Sequence, residues 1–219
     1  MAVNADIVNR AKNAVSDYVV KRNSDWKGGR IVVSIKGGEK FFDKFASDEN
    51  AKISVPLDYQ LTKVTSSLFL PIMAESNGRE LGRTMVIAQI EVYKDVVVAS
   101  NALSKGKKIG ESDLEVKTQD ISAYQGKYFT SADDIAGKIT KTTIQQGSVV
   151  LDWMIKEEPV VAKGSPVQIR VASGSILVEA SGVALADGQM GELIPVRRDD
   201  SQEEFKARVI ASDTVEVKI

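Results

Sequence analysis

Apolar residues near the start of the chain recur with helical spacing. Ile7, Ala11, Ala14, Val15 and Tyr18 fall at i, i+4, i+7, i+8 and i+11 and build one stripe, while Lys12, Asp17 and Lys21 lie off it. Asn4 or Asp6 can cap the start, and Asn23-Ser24-Asp25 closes the helix. Strand signals follow: Ile31–Ile35 ended by Gly37-Gly38, Lys52–Val55 ended by Pro56, Leu68–Ile72, and a long run from Thr84 to Tyr93. Ser76-Asn77-Gly78-Arg79 between the last two is a hairpin signal, because Asn and Gly tolerate the positive φ of a tight turn. One helix and about four strands predict a small α+β domain over residues 1–93.

From Lys94 the texture changes. After Val96-Val97-Val98-Ala99, one pattern recurs: an apolar residue, a polar turn with Gly, then another apolar residue. It stands at Leu103–Ile109, Ile144–Val149 and Val161–Val167. These read as tight turns between short strands rather than as a repeat of solenoid length. Ser112-Asp113-Leu114-Glu115 has capping-box spacing, and Thr130–Gly137 repeats that logic, so both are expected to form short helical turns.

The last third alternates as strands do. Val167, Ile169 and Val171 lead to a turn at Ser173-Gly174-Ser175, and Ile176, Val178 and Ala180 lead back. Further strands centre on Leu193–Val196, Phe205–Ile210 and Val215–Ile219, which predicts a meander or small barrel. Glu157-Glu158-Pro159 reads as a linker in front of it. The fold class expected is thus mixed α+β and mostly β, with domains at 1–93, 94–156 and 157–219.

Composition narrows the chemistry. The chain has neither Cys nor His, which removes disulfides, thiolate metal sites, Cys nucleophiles and the commonest general base. Lys+Arg 29 against Asp+Glu 30 leaves a net charge of -1, which argues against nucleic acid as a partner. No apolar run reaches the roughly 18 residues of a spanning helix, so no membrane insertion is expected. Met1–Asp6 lacks the basic segment and apolar core of a signal peptide, so the chain reads as cytoplasmic or as a mature exported form.

Gly106-Lys107-Lys108 and Gly137-Lys138 are not phosphate loops. The acidic pairs Glu157-Glu158, Asp199-Asp200 and Glu203-Glu204 have no metal-loop or dyad spacing and read as solvated. No catalytic residue, cofactor site or metal site is expected. Tyr124, Tyr128 and Phe129, clustered beside Gly126, carry two readings: a partner anchor, since aromatic residues are enriched at binding hot spots, or a loop folded over the central domain. Pro159, Val160 and Val161 are candidates for a hinge.

From Val96 onward the chain resembles the flagellar P-ring assembly chaperone family, whose central part is an SAF domain, the antifreeze-like β-clip. The resemblance is carried by Val97-Val98-Ala99-Ser100, Leu103–Gly106, Ile109 with Ser112-Asp113-Leu114, Gly137-Lys138, Gln146-Gly147, Lys163-Gly164 and Val167–Ile169. It continues through Val178–Gly188, Gly191, Val196, Val209 and Val215–Val217. Ser104 departs from a common Pro, and Arg197–Asp200 replaces an Asn/Ser-rich turn.

The resemblance implies a non-enzymatic periplasmic chaperone that binds P-ring subunits and assists their assembly around the rod. Exposed strand edges, or an apolar groove between the β-domains, would hold the client. An exposed edge also leaves open a homodimer or a covering loop. The alternatives are an SAF-domain pilus or secretion assembly component and a carbohydrate-binding or sugar-acid enzyme module.

Overall fold

The computed structural model describes residues 5–48, 50–173, 176–201 and 203–218. Two helices stand in it, α1 (Ala5–Arg22) and α2 (Glu39–Phe45). The strands are β1 (Arg30–Lys36), β2 (Lys52–Ser54), β3 (Ser67–Ser76), β4 (Arg79–Ala99), β5 (Leu114–Asp120) and the two-residue β6 (Ile139–Thr140) and β7 (Ile155–Lys156). They continue with β8 (Pro166–Ser173), β9 (Ile176–Ala184), β10 (Leu193–Arg198), β11 (Glu204–Val209) and β12 (Thr214–Lys218). Two compact units result: Met1–Ala136 with Thr140–Ile155, and Gly137–Ile139 with Lys156–Ile219.

In the first unit α1 buries Ile7, Ala11, Val15 and Val19 on one face. Ala14 and Tyr18 flank that stripe instead of centring it, and Val19 completes it. Asn4 lies outside the described residues, and Asp6 sits inside the first turn instead of capping it. α2 escapes the sequence reading because seven residues are too few to show a period. Gly38, at φ 80, turns the chain into it, and Phe41, Phe42 and Phe45 are buried along it. The Phe41 and Phe45 rings meet edge-on at 4.9 Å.

The sheet runs β1-β4-β3-β2, with β5 also on β4. The β3–β4 turn forms at Asn77 (φ 50) and Gly78 (φ 75), the two positive values that a two-residue hairpin requires. β4 does not stop at Tyr93. It runs unbroken for 21 residues, and Tyr93 pairs with Arg30 of β1 and with Asp120 of β5. The residues on either side of Tyr93 therefore share one long strand.

Two hydrophobic clusters lie in this unit. The first joins α1, α2 and the sheet to Val96, Val98, Ile121, Val149 and Leu151. The second gathers Val97, Ala99, Leu103, Ile109, Leu114, Ile135, Ile144, Val150 and Ile155. Where capping-box spacing predicted a turn at Ser112–Glu115, the 3-10 turn is Glu111–Asp113, and Asp113 Oδ2 accepts the Gly110 N–H at 3.1 Å. Leu114 then opens β5, a strand the sequence reading did not include.

The second unit is a closed five-stranded barrel in the order β10-β11-β12-β8-β9. The β12–β8 pair is parallel and the others are antiparallel. Of the two architectures expected for this region, the structure adopts the barrel. Val167, Ile169, Ala184, Ile194, Val196, Ala207, Val209 and Val215 fill it, with Val161 beside them. The turn at Gly174-Ser175 lies outside the described residues. Val178 is 52% exposed although it shares the inward face of β9, because β10 reaches only Gly182–Ala184.

Candidate partner-binding surfaces

The glycine turns are built alike. Lys107, Ser148 and Ser165 each donate an N–H to the carbonyl three residues back, and Gly106, Gly147 and Gly164 stand at φ 81, 77 and 86. Each glycine N–H then donates to a distant strand: Gly106 to Thr140 O, Gly147 to Ala99 O and Gly164 to Ala184 O. Gly191 repeats the device, with φ 79 and a bond to Val209 O. Only a residue tolerant of positive φ can hold both bonds. Thr140, fully buried, locks the Leu103–Ile109 turn: its hydroxyl donates to Ser104 O at 2.6 Å and accepts from the Lys107 N–H at 3.0 Å.

Two carboxylates brace these loops. Asp113 accepts the Lys107 ammonium at 2.6 Å, and that bond, followed by the Gly110 amide, holds its carboxyl below the usual range. Asp187 accepts Lys156 at 2.5 Å and the Lys163 N–H at 2.8 Å, and the Lys156 bond chiefly lowers its pKa. Both are structural ion pairs with satisfied partners. Among the described residues no group of three acidic side chains could hold a metal ion. No described helix is long and apolar enough to cross a membrane.

A cavity of about 540 Å³ lies against α1 and β2. Asp17, Asp58 and Glu75 face Lys21, Lys52 and Arg83 around it, beside Tyr18 and Leu57. Three acidic side chains thus stand against three basic ones, and the mixture is balanced in charge.

The three aromatics singled out in the sequence separate by role. Tyr128 is tied into the first unit: its hydroxyl donates to Asp25 O at 2.5 Å and accepts from Lys94 Nζ at 3.1 Å. Phe129 packs on the second cluster, and its carbonyl accepts the Val97 N–H. Tyr124 is left 43% exposed. Trp153, which no sequence motif singles out, is 52% exposed. Its Cδ1 lies 3.1 Å from where a Cβ on Gly126 would be, so this glycine allows the indole to lie against the Tyr124–Phe129 loop.

The hinge candidates also divide. Val161 is buried and exchanges two hydrogen bonds with Gly188, which fixes it to the barrel. Val160 packs on the same core from a half-buried position, and Pro159 is half-buried. Glu157 pairs with Lys138, and Glu158 O accepts Gln189 Nε2 at 3.1 Å.

Comparison with known proteins matches these features to one family. Residues 94–217 match the family model described as chaperone for flagella basal body P-ring formation. The flagellar protein FlgA of Rhizobium meliloti (strain 1021) is 31% identical over 121 residues, which cover 55% of this chain and 72% of that protein. The crystal structure of Salmonella FlgA in open form has the same fold at 13% identity, with a TM-score of 0.55 over 95% of this chain and 93% of that one. Flagellar protein FlgA from Thermotoga maritima MSB8 aligns with a TM-score of 0.56 at 18% identity, over 94% of this chain and 70% of that one. The match spans more than half the chain, including the glycine turns and the barrel, and so the chain belongs to the family of chaperones for flagellar basal-body P-ring formation, which are not enzymes.

Proposed function

We propose that this protein acts in the periplasm, where it binds P-ring subunits and assists their polymerisation around the rod. The observation that carries the reading is the family match over residues 94–217, which takes in the second cluster and nearly all of the barrel. The chemistry on the surface agrees with holding rather than transforming a partner. Its shifted carboxylates are committed to structural pairs, while Tyr124, in the Tyr124–Phe129 loop, and Trp153, in the turn that lies against that loop, stand exposed. Exposed aromatic side chains of this kind anchor protein partners in desolvated pockets.

The assignment of residues 94–156 as an SAF β-clip, and the three modules 1–93, 94–156 and 157–219, belong to the same proposal. The second and third clusters, which fall within residues 97–155 and 161–215, support the last two modules, while the first draws Val96, Val98, Ile121, Val149 and Leu151 across the boundary at Tyr93. Pro159, Val160 and Val161 form the proposed hinge, with Val161 as its anchored end.

The deciding experiment is capture of the ring subunit from periplasmic extract by the tagged protein, paired with binding of the two purified proteins. Recovery of the ring subunit at stoichiometric yield is expected. No capture together with no binding of the purified proteins would sink the proposal. Small-angle scattering with and without the subunit tests the hinge, and an unchanged profile argues against it.

A further inference from the structure

β9 is longer than the strand that covers it. Its inner neighbour β8 pairs with it over the whole span Pro166–Ser173 against Ile176–Val183. On the other side β10 pairs only with Gly182, Val183 and Ala184. The hydrogen bonds give the main-chain directions. The Leu185 N–H donates to Pro195 O and Ser181 O accepts the Asp199 N–H, both toward β10, whereas the Ala184 N–H donates the opposite way, to Ser165 O. Odd residues of β9 therefore face the β10 side. Beyond the Ser181 carbonyl, the N–H of Ser181 and both main-chain groups of Glu179 and Leu177 face an edge with no partner among the described residues.

Among the described residues no strand covers this edge. On β9, Val178, Glu179 and Ser181 are exposed. Val178 adds an apolar ledge next to Val171, because the barrel interior continues past the end of β10.

We propose that the β9 edge from Leu177 to Ser181 receives an extended segment of the P-ring subunit by strand addition; this rests on the function proposed above. A row of outward N–H and C=O groups is matched by another extended main chain at about 4.8 Å and by little else. The segment carries apolar side chains on the face of Val178 and Ala180 and uncharged polar ones on the face of Glu179. Glu179 needs no cation from it, since Arg170 Nε and Gln168 Nε2 already bond its carboxylate at 2.9 Å each. A second copy of this chain is a poorer occupant. Antiparallel self-pairing centred on Glu179, the middle outward-facing residue, sets two carboxylates directly opposite each other.

The test uses the full chain and the purified ring subunit. Proline at position 179 deletes an edge donor that the β8 ladder does not use, so Glu179→Pro is expected to weaken subunit binding about tenfold or more. Glu179→Ala keeps the N–H and is expected to weaken binding far less than Glu179→Pro. Amide hydrogen exchange on the wild-type chain gives an answer independent of any variant: Glu179 and Ser181 are expected to become protected when the subunit is added. If the wild type binds the subunit while these amides stay unprotected, the edge assignment falls and the chaperone function stands. A wild type that binds nothing takes both down. Self-association of the free protein that Glu179→Pro abolishes gives the edge to a second copy and overturns the assignment.

Discussion

Val97 and Val98 are neighbours on β4, both fully buried, and they enter different hydrophobic clusters: Val98 packs with the α1 and α2 side of the unit, Val97 with Leu103, Ile109 and Ile144. Successive strand residues point to opposite faces, so one extended chain carries two cores. Val97→Ala and Val98→Ala should each lower stability by about 2 kcal/mol. Trp26, buried in the first cluster, reports on it in a Trp153→Phe background. Urea unfolding followed by Trp26 should shift for both variants, and a transition that Val97→Ala leaves in place would show the clusters to be uncoupled.

The Asp113–Lys107 pair predicts a pH dependence. The folded-state pKa of Asp113 is depressed by the Lys107 bond and then by the Gly110 amide. Its contribution is therefore fully present above the unfolded carboxylate pKa of about 3.9 and is lost as pH falls through the lower folded value. Asp113→Asn should cost about 1–2 kcal/mol at neutral pH and flatten the stability profile below pH about 4. Denaturation midpoints measured across that range decide it.

Gly182 and Gly191 separate steric from conformational glycine. A Cβ on Gly182 would lie 2.5 Å from Arg197 O and 2.6 Å from Ile169 Cδ1, inside the barrel wall. At Gly191 it would meet open space, but at φ 79. Gly182→Ala should cost about 3 kcal/mol, and Gly191→Ala about 1 kcal/mol. Calorimetry that ranked the two in the reverse order would refute this account of the barrel.

Tyr128 and Tyr124 should fail in different assays. Removing the Tyr128 hydroxyl takes one of two bonds from Asp25 O and leaves Lys94 Nζ with its 2.9 Å bond to Asp25 O, so Tyr128→Phe should lower stability by about 1 kcal/mol or less. Tyr124→Ala and Trp153→Ala should change stability by less than about 0.5 kcal/mol and yet weaken binding of the ring subunit. A Trp26→Phe variant isolates the Trp153 emission, and a blue shift with reduced acrylamide quenching on adding the subunit is the expected signal.

Much of the fold was legible in the residue pattern. The α1 stripe, the Asn77-Gly78 hairpin, the glycine turns and the alternation of β8, β10, β11 and β12 follow from local periodicity and backbone sterics, which act over a few residues. α2 was too short to show a period, and β5, with the burial pattern of a mostly exposed strand, lacked an apolar alternation. Trp153 stands in no sequence motif, and its exposure between the buried Leu151 and Ile155 is a tertiary outcome.

What the sequence by itself determined is where the chain turns, which strands carry a buried face and that acid–base and metal chemistry is poorly provisioned. Only the tertiary structure decided that β4 runs through Tyr93 to serve two cores, that the last strands close a barrel through the parallel β12–β8 pair, and that β9 outlasts β10. Those outcomes depend on which distant strands pair and in what register. Pairing is set by the sum of many weak long-range contacts, which no local window contains.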